Sequence, residues 1–326
     1  MKKLFSLFLC VLIILTIVNL FGCSAKESPL KFGLGVYTNI SSAGNAEGDA
    51  NGQGTVAITA AGITVDEGGK VVACDLDTAD ITVAYTSEGK AITNDGFKTK
   101  AEFGDSYNMK AYGGASKEWY EQANAFESVV VGKTLSEIQA LVAEGNKGNA
   151  EVIRAGCTIM VAEFVRAIEK AFTNLSESDA TSAASVELGV HTEQTLADAT
   201  EDKNGKNQIE TTVFAAAVSD GKIIAASNDC IQIAFTFDAK GASTYDLSKP
   251  VLGKKEAGDS YGMKIYGGAA KEWYEQSAAF DAATIGKTAG EINSLLGENN
   301  YGNAKLQAAG CTILVNGLVK AASKIG

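Results

Sequence analysis

Apolar and polar residues alternate through the early part of the chain. Gly54 to Val65, Lys70 to Asp75 and Ile81 to Thr86 are rich in β-branched residues and partly alternate apolar with polar positions, the period at which a strand turns one face to a core. Turn residues at Glu67-Gly68-Gly69 and Glu88-Gly89 separate these runs. The period then changes: Trp119, Ala123, Phe126 and Val130 fall at helical spacing, as do Val161, Phe164, Val165, Ile168 and Phe172. Between them, Thr134-Leu-Ser-Glu137 has the reciprocal capping pattern that opens a further helix. Strands followed by helices predict an α+β fold, an antiparallel sheet with helices packed on it.

The pattern then repeats. Gly104 to Thr134 matches Gly258 to Thr288 at a constant offset of 154, with 21 of 31 positions identical. The match extends outward to Leu34-Gly35-Val36 against Leu188-Gly189-Val190, and to the segments starting at Ala155 and Ala309. A unit this long is a duplicated domain rather than a solenoid repeat, whose units run to a few tens of residues. The polar stretch Thr173–Ser185 reads as a linker, which gives repeat domains at 32–172 and 187–326 with 173–186 between them. Each domain is expected to bury its own core.

The N-terminus has a different character. Lys2-Lys3 precede an apolar run from Leu4 to Leu20, followed by Phe21-Gly22-Cys23. Leu20-Phe21-Gly22-Cys23 resembles the lipobox of bacterial lipoproteins. That resemblance implies a signal peptide over 1–22, lipid attachment at Cys23, and a chain held on the outer face of the cytoplasmic membrane. Hydrophobic content of 46% and charged content of 21% suit folded domains beyond it. With a net charge of −11 and Arg154 and Arg166 the sole arginines, there is no basic stripe for a nucleic-acid backbone.

Few constellations carry chemistry. Gly132-Lys133-Thr134 and Gly286-Lys287-Thr288 lack the preceding glycine a phosphate loop needs, because Glu127 and Asp281 stand there; a helix end followed by a Thr cap explains both. His191, the single histidine, has Tyr37 as its counterpart in the other copy, which speaks against a catalytic triad or a shared histidine metal site. Cys157 and Cys311 are equivalent, whereas Cys74 and Cys230 are not. Tyr107, Tyr112, Trp119 and Tyr120, matched by Tyr261, Tyr266, Trp273 and Tyr274, surround paired glycines and could stack a planar ligand; a turn and an amphipathic helix anchored by Trp119 would leave the same trace.

Ala-Gly-Cys-Thr-Ile at the end of each copy, followed by an apolar helix, resembles the signature that closes exported FMN-binding domains. In the covalent members of that family the phosphate is esterified to the threonine, so the resemblance implies Thr158 and Thr312 as FMN-binding positions and electron transfer as the activity; a threonine capping the helix that follows would leave the same trace. The signature's alanine is cysteine here. The GLGV start and the KEWYEQ block are similar to a group of duplicated clostridial surface lipoproteins. Three functions are therefore expected: a lipid-anchored, non-catalytic protein that binds a small molecule or a surface protein, an FMN-carrying electron-transfer lipoprotein, or a structural module of the envelope.

Overall fold

The computed structural model describes residues 28–325, so the expected signal peptide and Cys23 lie outside the described residues. Strands β1 (Leu30–Gly44), β2 (Gly52–Val65), β3 (Val71–Tyr85), β4 (Ala91–Ile92) and β5 (Ser176–Ala180) form one antiparallel sheet in the order β4-β3-β2-β1-β5. Strands β6 (Ser185–Ala197), β7 (Gly205–Ser219) and β8 (Lys222–Phe237) form a second, in the order β6-β7-β8. Helices follow each: α1 (Lys100–Phe103), α2 (Met109–Gly113), α3 (Trp119–Val130), α4 (Leu135–Gln139), α5 (Ala150–Ala155) and α6 (Ala162–Thr173) in the first half. In the second half come α7 (Lys254–Ala257), α8 (Met263–Gly267), α9 (Trp273–Thr284), α10 (Ala304–Ala308) and α11 (Asn316–Ala322), the counterpart of α4 being a 3-10 helix over Ala289–Leu295. The fold is α+β, and the capping boxes at Thr134/Glu137 and Thr288/Glu291 are both formed.

Two expectations about the strands are corrected. The runs at Lys70–Asp75 and Ile81–Thr86 are one strand of 15 residues, β3, which passes straight through the polar segment between them. The segment read as a linker contributes β5, which pairs with β1 at Leu30↔Ala180, Lys31↔Glu177 and Phe32↔Ser176. Its polar composition suits an edge strand.

The larger difference concerns the core. The two sheets pack face to face, and Phe32, Leu34, Val36, Ile58 and Ile81 of the first half bury one cluster with Val190, Ile209, Val213, Ile231 and Phe235 of the second. The layers are thus helices, sheet, sheet, helices. The repeats share this inner core, and each has a further cluster between the outer face of its sheet and its own helices. A pseudo-two-fold axis relates them, because contacts recur with the halves exchanged. Lys170 Nζ meets Glu256 at 2.7 Å and Lys324 Nζ meets Glu102 at 2.5 Å; Ala46 N donates to Gly241 O and Ala199 N to Gly89 O, each at 2.8 Å. Tyr85 stacks on its own counterpart, Phe237, with ring centroids 4.2 Å apart, as residues on the axis must.

The GLGV motif sets the distance between β1 and α6. A Cβ on Gly35 would lie 2.0 Å from Ala167 O, and one on Gly189 would lie 2.0 Å from Ala321 O of α11. These strands carry glycine where the helix backbone sits directly on the sheet.

Candidate functional site

Antiparallel register lines up side chains from three strands on the outer face of each sheet. In the first half Tyr37 pairs with Thr59 and Thr59 with Thr78; two residues along, Asn39 pairs with Ala57 and Ala57 with Asp80. These rows, with α6 on one side and the α1–α3 segment on the other, floor and wall a cavity of about 550 Å³. Its floor is polar, the Thr59 and Thr78 hydroxyls lying 3.1 Å apart and buried. Tyr37, Tyr107, Met109, Trp119 and Phe164 provide apolar surface, and Asn146, Lys147 and Thr158 to Met160 form the rim. The volume is that of an ordinary small-molecule site.

Three cations line it, Lys100, Lys147 and Arg166, against one carboxylate, Glu163. Lys100 Nζ sits 5.7 Å from both the Tyr107 and Trp119 ring centroids and 2.8 Å from Asp80, which stands outside the lining. Burial alone would lower the Lys100 pKa, but Asp80 outweighs it and holds the ammonium charged. The Arg166 guanidinium donates to the Tyr37 hydroxyl and lies over that ring, 5.0 Å from its centroid; among the described residues no carboxylate forms an ion pair with it. Glu163 accepts from Asn39 Nδ2 at 2.7 Å. Helix α6, with Val161 as its N-cap and no side chain capping it, points its first turn (Ala162, Glu163, Phe164) at the cavity. Cations, uncapped amides and aromatic walls together make a place for a planar group bearing negative charge.

The expected site residues separate in space. Tyr107, Trp119 and Thr158 come together at this cavity. Tyr112 is 89% exposed and Tyr266 86% exposed, on the short helices α2 and α8 and away from the lining. Tyr120 and Tyr274 donate to Asp105 and Asp259 at 3.2 Å, latching the 3-10 turns before α2 and α8. Trp273 is buried, and Tyr261 lines a different recess with Gln232, Tyr245 and Leu252. Glu118, also in the aromatic block, is the N-cap of α3 and accepts from Met109 N and Lys110 N, which is a structural use.

Thr158 and Thr312 are not helix caps, since Val161 and Val315 occupy that position. Both are held by the glutamine of the KEWYEQ block: Gln122 Oε1 accepts from Thr158 N and Oγ1 at 2.8 and 2.9 Å, and Gln276 Oε1 does the same for Thr312 at 2.9 Å each. Each threonine is exposed at the end of its half's outer layer. The neighbouring thiols are inert packing groups: burial pushes Cys157 and Cys311 up to about 11, and all four cysteines among the described residues are free. Sequence reading missed Lys100, Arg166, Tyr37 and the Thr59/Thr78 floor. Only the rarity of arginine pointed to one of them.

No protein-family model matches the chain, and no solved structure does so significantly. It is similar to a chlorophenol reductase of Desulfitobacterium hafniense, at 36% identity over 95 residues. That stretch spans 25% of this chain and 29% of the reductase, less than a third of each.

Proposed function

We propose that this chain is a lipid-anchored, non-catalytic binding protein whose first half takes a planar, anionic small molecule in the cavity between α1, α3 and α6. The observation that carries the reading is the lining: Lys100, Lys147 and Arg166 beside Tyr37, Tyr107 and Trp119, with Glu163 the one carboxylate among them. Aromatic faces take the ring and the cations take its charge. The aromatic-anion chemistry also suits the partial likeness to a reductase whose name specifies a chlorophenol, itself a planar acid. FMN, with riboflavin as its uncharged counterpart, is a direct probe. Titration followed by flavin fluorescence should show FMN binding at least about tenfold more tightly than riboflavin, and Arg166→Gln should remove most of that difference. Equal affinities, or no binding of either, would overturn the reading. The lipid anchor is tested separately: protein extracted from membranes should carry the mass of a diacylglyceryl group on Cys23, and Cys23→Ser should abolish it.

A second reading, FMN esterified to Thr158 and Thr312 for electron transfer, is favoured by one observation. The two hydroxyls are exposed and gripped identically by Gln122 and Gln276. Lys117 and Lys271 lie over Gly156 and Gly310 nearby, where a phosphate would find a cation. A bound flavin would supply one- and two-electron chemistry; the chain would supply the threonine oxygen and orient it. Intact mass after co-expression with a flavin transferase decides this, an unchanged mass removing covalent flavin.

A further inference from the structure

The second half builds the same two rows from different residues. His191 pairs with Thr212 and Thr212 with Cys230, in place of Tyr37, Thr59 and Thr78. Glu193 pairs with Glu210 and Glu210 with Gln232, in place of Asn39, Ala57 and Asp80. Two carboxylates thus stand directly opposite each other on adjacent strands, an arrangement that is unfavourable unless each is neutralised. Both are. Lys254, the counterpart of Lys100, reaches Glu210 at 3.0 Å, and Lys320, the counterpart of Arg166, reaches Glu193 at 3.0 Å. Glu193 also accepts from Asn316 Nδ2 at 2.7 Å, while His191 Nε2 lies 3.3 Å from it.

The consequence is electrostatic and steric. In the first half Asp80 holds Lys100 from the side and, among the described residues, no carboxylate forms an ion pair with Arg166; in the second half both cations are tied to carboxylates rising from the floor itself. Lys254 is only 7% exposed, packed over the Tyr261 and Trp273 rings at 5.5 and 5.8 Å. Burial alone would raise the Glu193 pKa, yet Lys320 brings it below its ordinary value, so this carboxylate stays ionised around neutral pH. The carboxylates already occupy the place where an anionic ligand would have to pair. Lys147, on the rim of the first cavity, is replaced at the equivalent position by Tyr301.

We infer that the two repeats have diverged in ligand binding: the first half binds one planar anion per chain, and in the second half Glu193 and Glu210 act as an internal substitute for that anion and close the equivalent site. The inference rests on the binding proposed above for the first half. Its determinants are positions 39, 57 and 80 and their counterparts 193, 210 and 232.

FMN titration of the full chain in detergent, read as stoichiometry, tests it first and needs no variant. One equivalent is expected. Two equivalents would overturn the divergence while leaving the first-half reading standing, and none would remove both. The triple variant Glu193→Asn, Glu210→Ala, Gln232→Asp transplants the first-half row into the second half and should raise the count to two. A folded triple variant that still binds one equivalent would show that these carboxylates do not close the site. The converse change, Ala57→Glu with Asp80→Gln, should weaken FMN binding at least about tenfold with the unfolding transition retained, since it gives Lys100 the partner that Lys254 has. An unchanged affinity in that variant would also contradict the inference.

Discussion

At the scale of single residues, glutamine in the KEWYEQ block has a use the sequence does not reveal. Gln122 is 1% exposed, and its one carbonyl oxygen satisfies both the amide and the hydroxyl of Thr158, 36 residues further on. Gln122→Ala should therefore cost about 1–3 kcal/mol, the net worth of the two hydrogen bonds it accepts, at about 0.5–1.5 kcal/mol each. Chemical denaturation measures it, and a loss below about 0.5 kcal/mol would show that water replaces the glutamine without penalty. Glu127 makes a second case. Burial, reinforced by Asp75 and Asp77, pushes its carboxyl up to about 8, while Asp75 and Asp77 are each raised to about 6, chiefly by burial. A carboxyl raised on folding contributes stability that is fully present below its unfolded pKa and lost as pH rises through the folded value. Stability should thus fall between about pH 4 and 8. Glu127→Gln keeps an oxygen for the Leu76 amide, which the carboxylate now accepts at 2.9 Å, and should flatten that fall toward pH 8. A melting temperature whose pH dependence is the same in both proteins would exclude the linkage.

At the scale of elements, alternation and helical spacing were legible wherever side chains do the packing. Helices α3 and α6 bury the residues their periodicity predicts, among them Trp119, Phe126, Val130, Phe164, Val165 and Ile168. Reading failed where polar residues sit inside strands for tertiary reasons. The sequence reads β3 as two runs because Asp77, Thr78 and Asp80 fall between them, yet Asp77 accepts from Ala101 N at the start of α1, and Asp75, at the end of the first run, accepts from Leu188 N of the other half. β1 was recognised only as a repeat boundary, since its glycines have low strand propensity; they are there for the backbone of α6. Gly35→Ala forces that helix off the sheet and should destabilise by more than about 2 kcal/mol, the range of overpacked core positions. A near-neutral effect in thermal unfolding would mean the contact relaxes freely. The cavity was half legible for a related reason. Two of its aromatics, Tyr107 and Trp119, belong to one conspicuous block, but its floor is assembled across β1, β2 and β3, and cross-strand register leaves no local trace in a sequence.

At the scale of the whole molecule, duplication was plain but the relation between the copies was not. Two copies of a sheet with one apolar inner face each can bury those faces separately or against each other, and both arrangements give the same pattern of alternation. The structure has the second, with Phe235 of the second half fully inside the shared core. Unfolding should therefore be one cooperative transition. Phe235→Ala should cost about 3–5 kcal/mol and lower the midpoint of the whole chain, whereas two resolved transitions with only one displaced would contradict a common core. The pseudo-two-fold axis leaves each half with its own cross-strand rows and its own helices, so the proposed divergence of the two halves needs no change at the shared core. Beyond Met1, the methionines mark this asymmetry: Met109 and Met160 line the first cavity, and Met263 is the counterpart of Met109 in the second half. The most direct test follows chemical shifts of carbon-13-labelled methionine methyl groups as FMN is added. Met109 and Met160 should move and saturate together while Met263 stays in place. Equal movement at Met263, or no movement at Met109 and Met160 under saturating FMN, would contradict a single anion site in the first half.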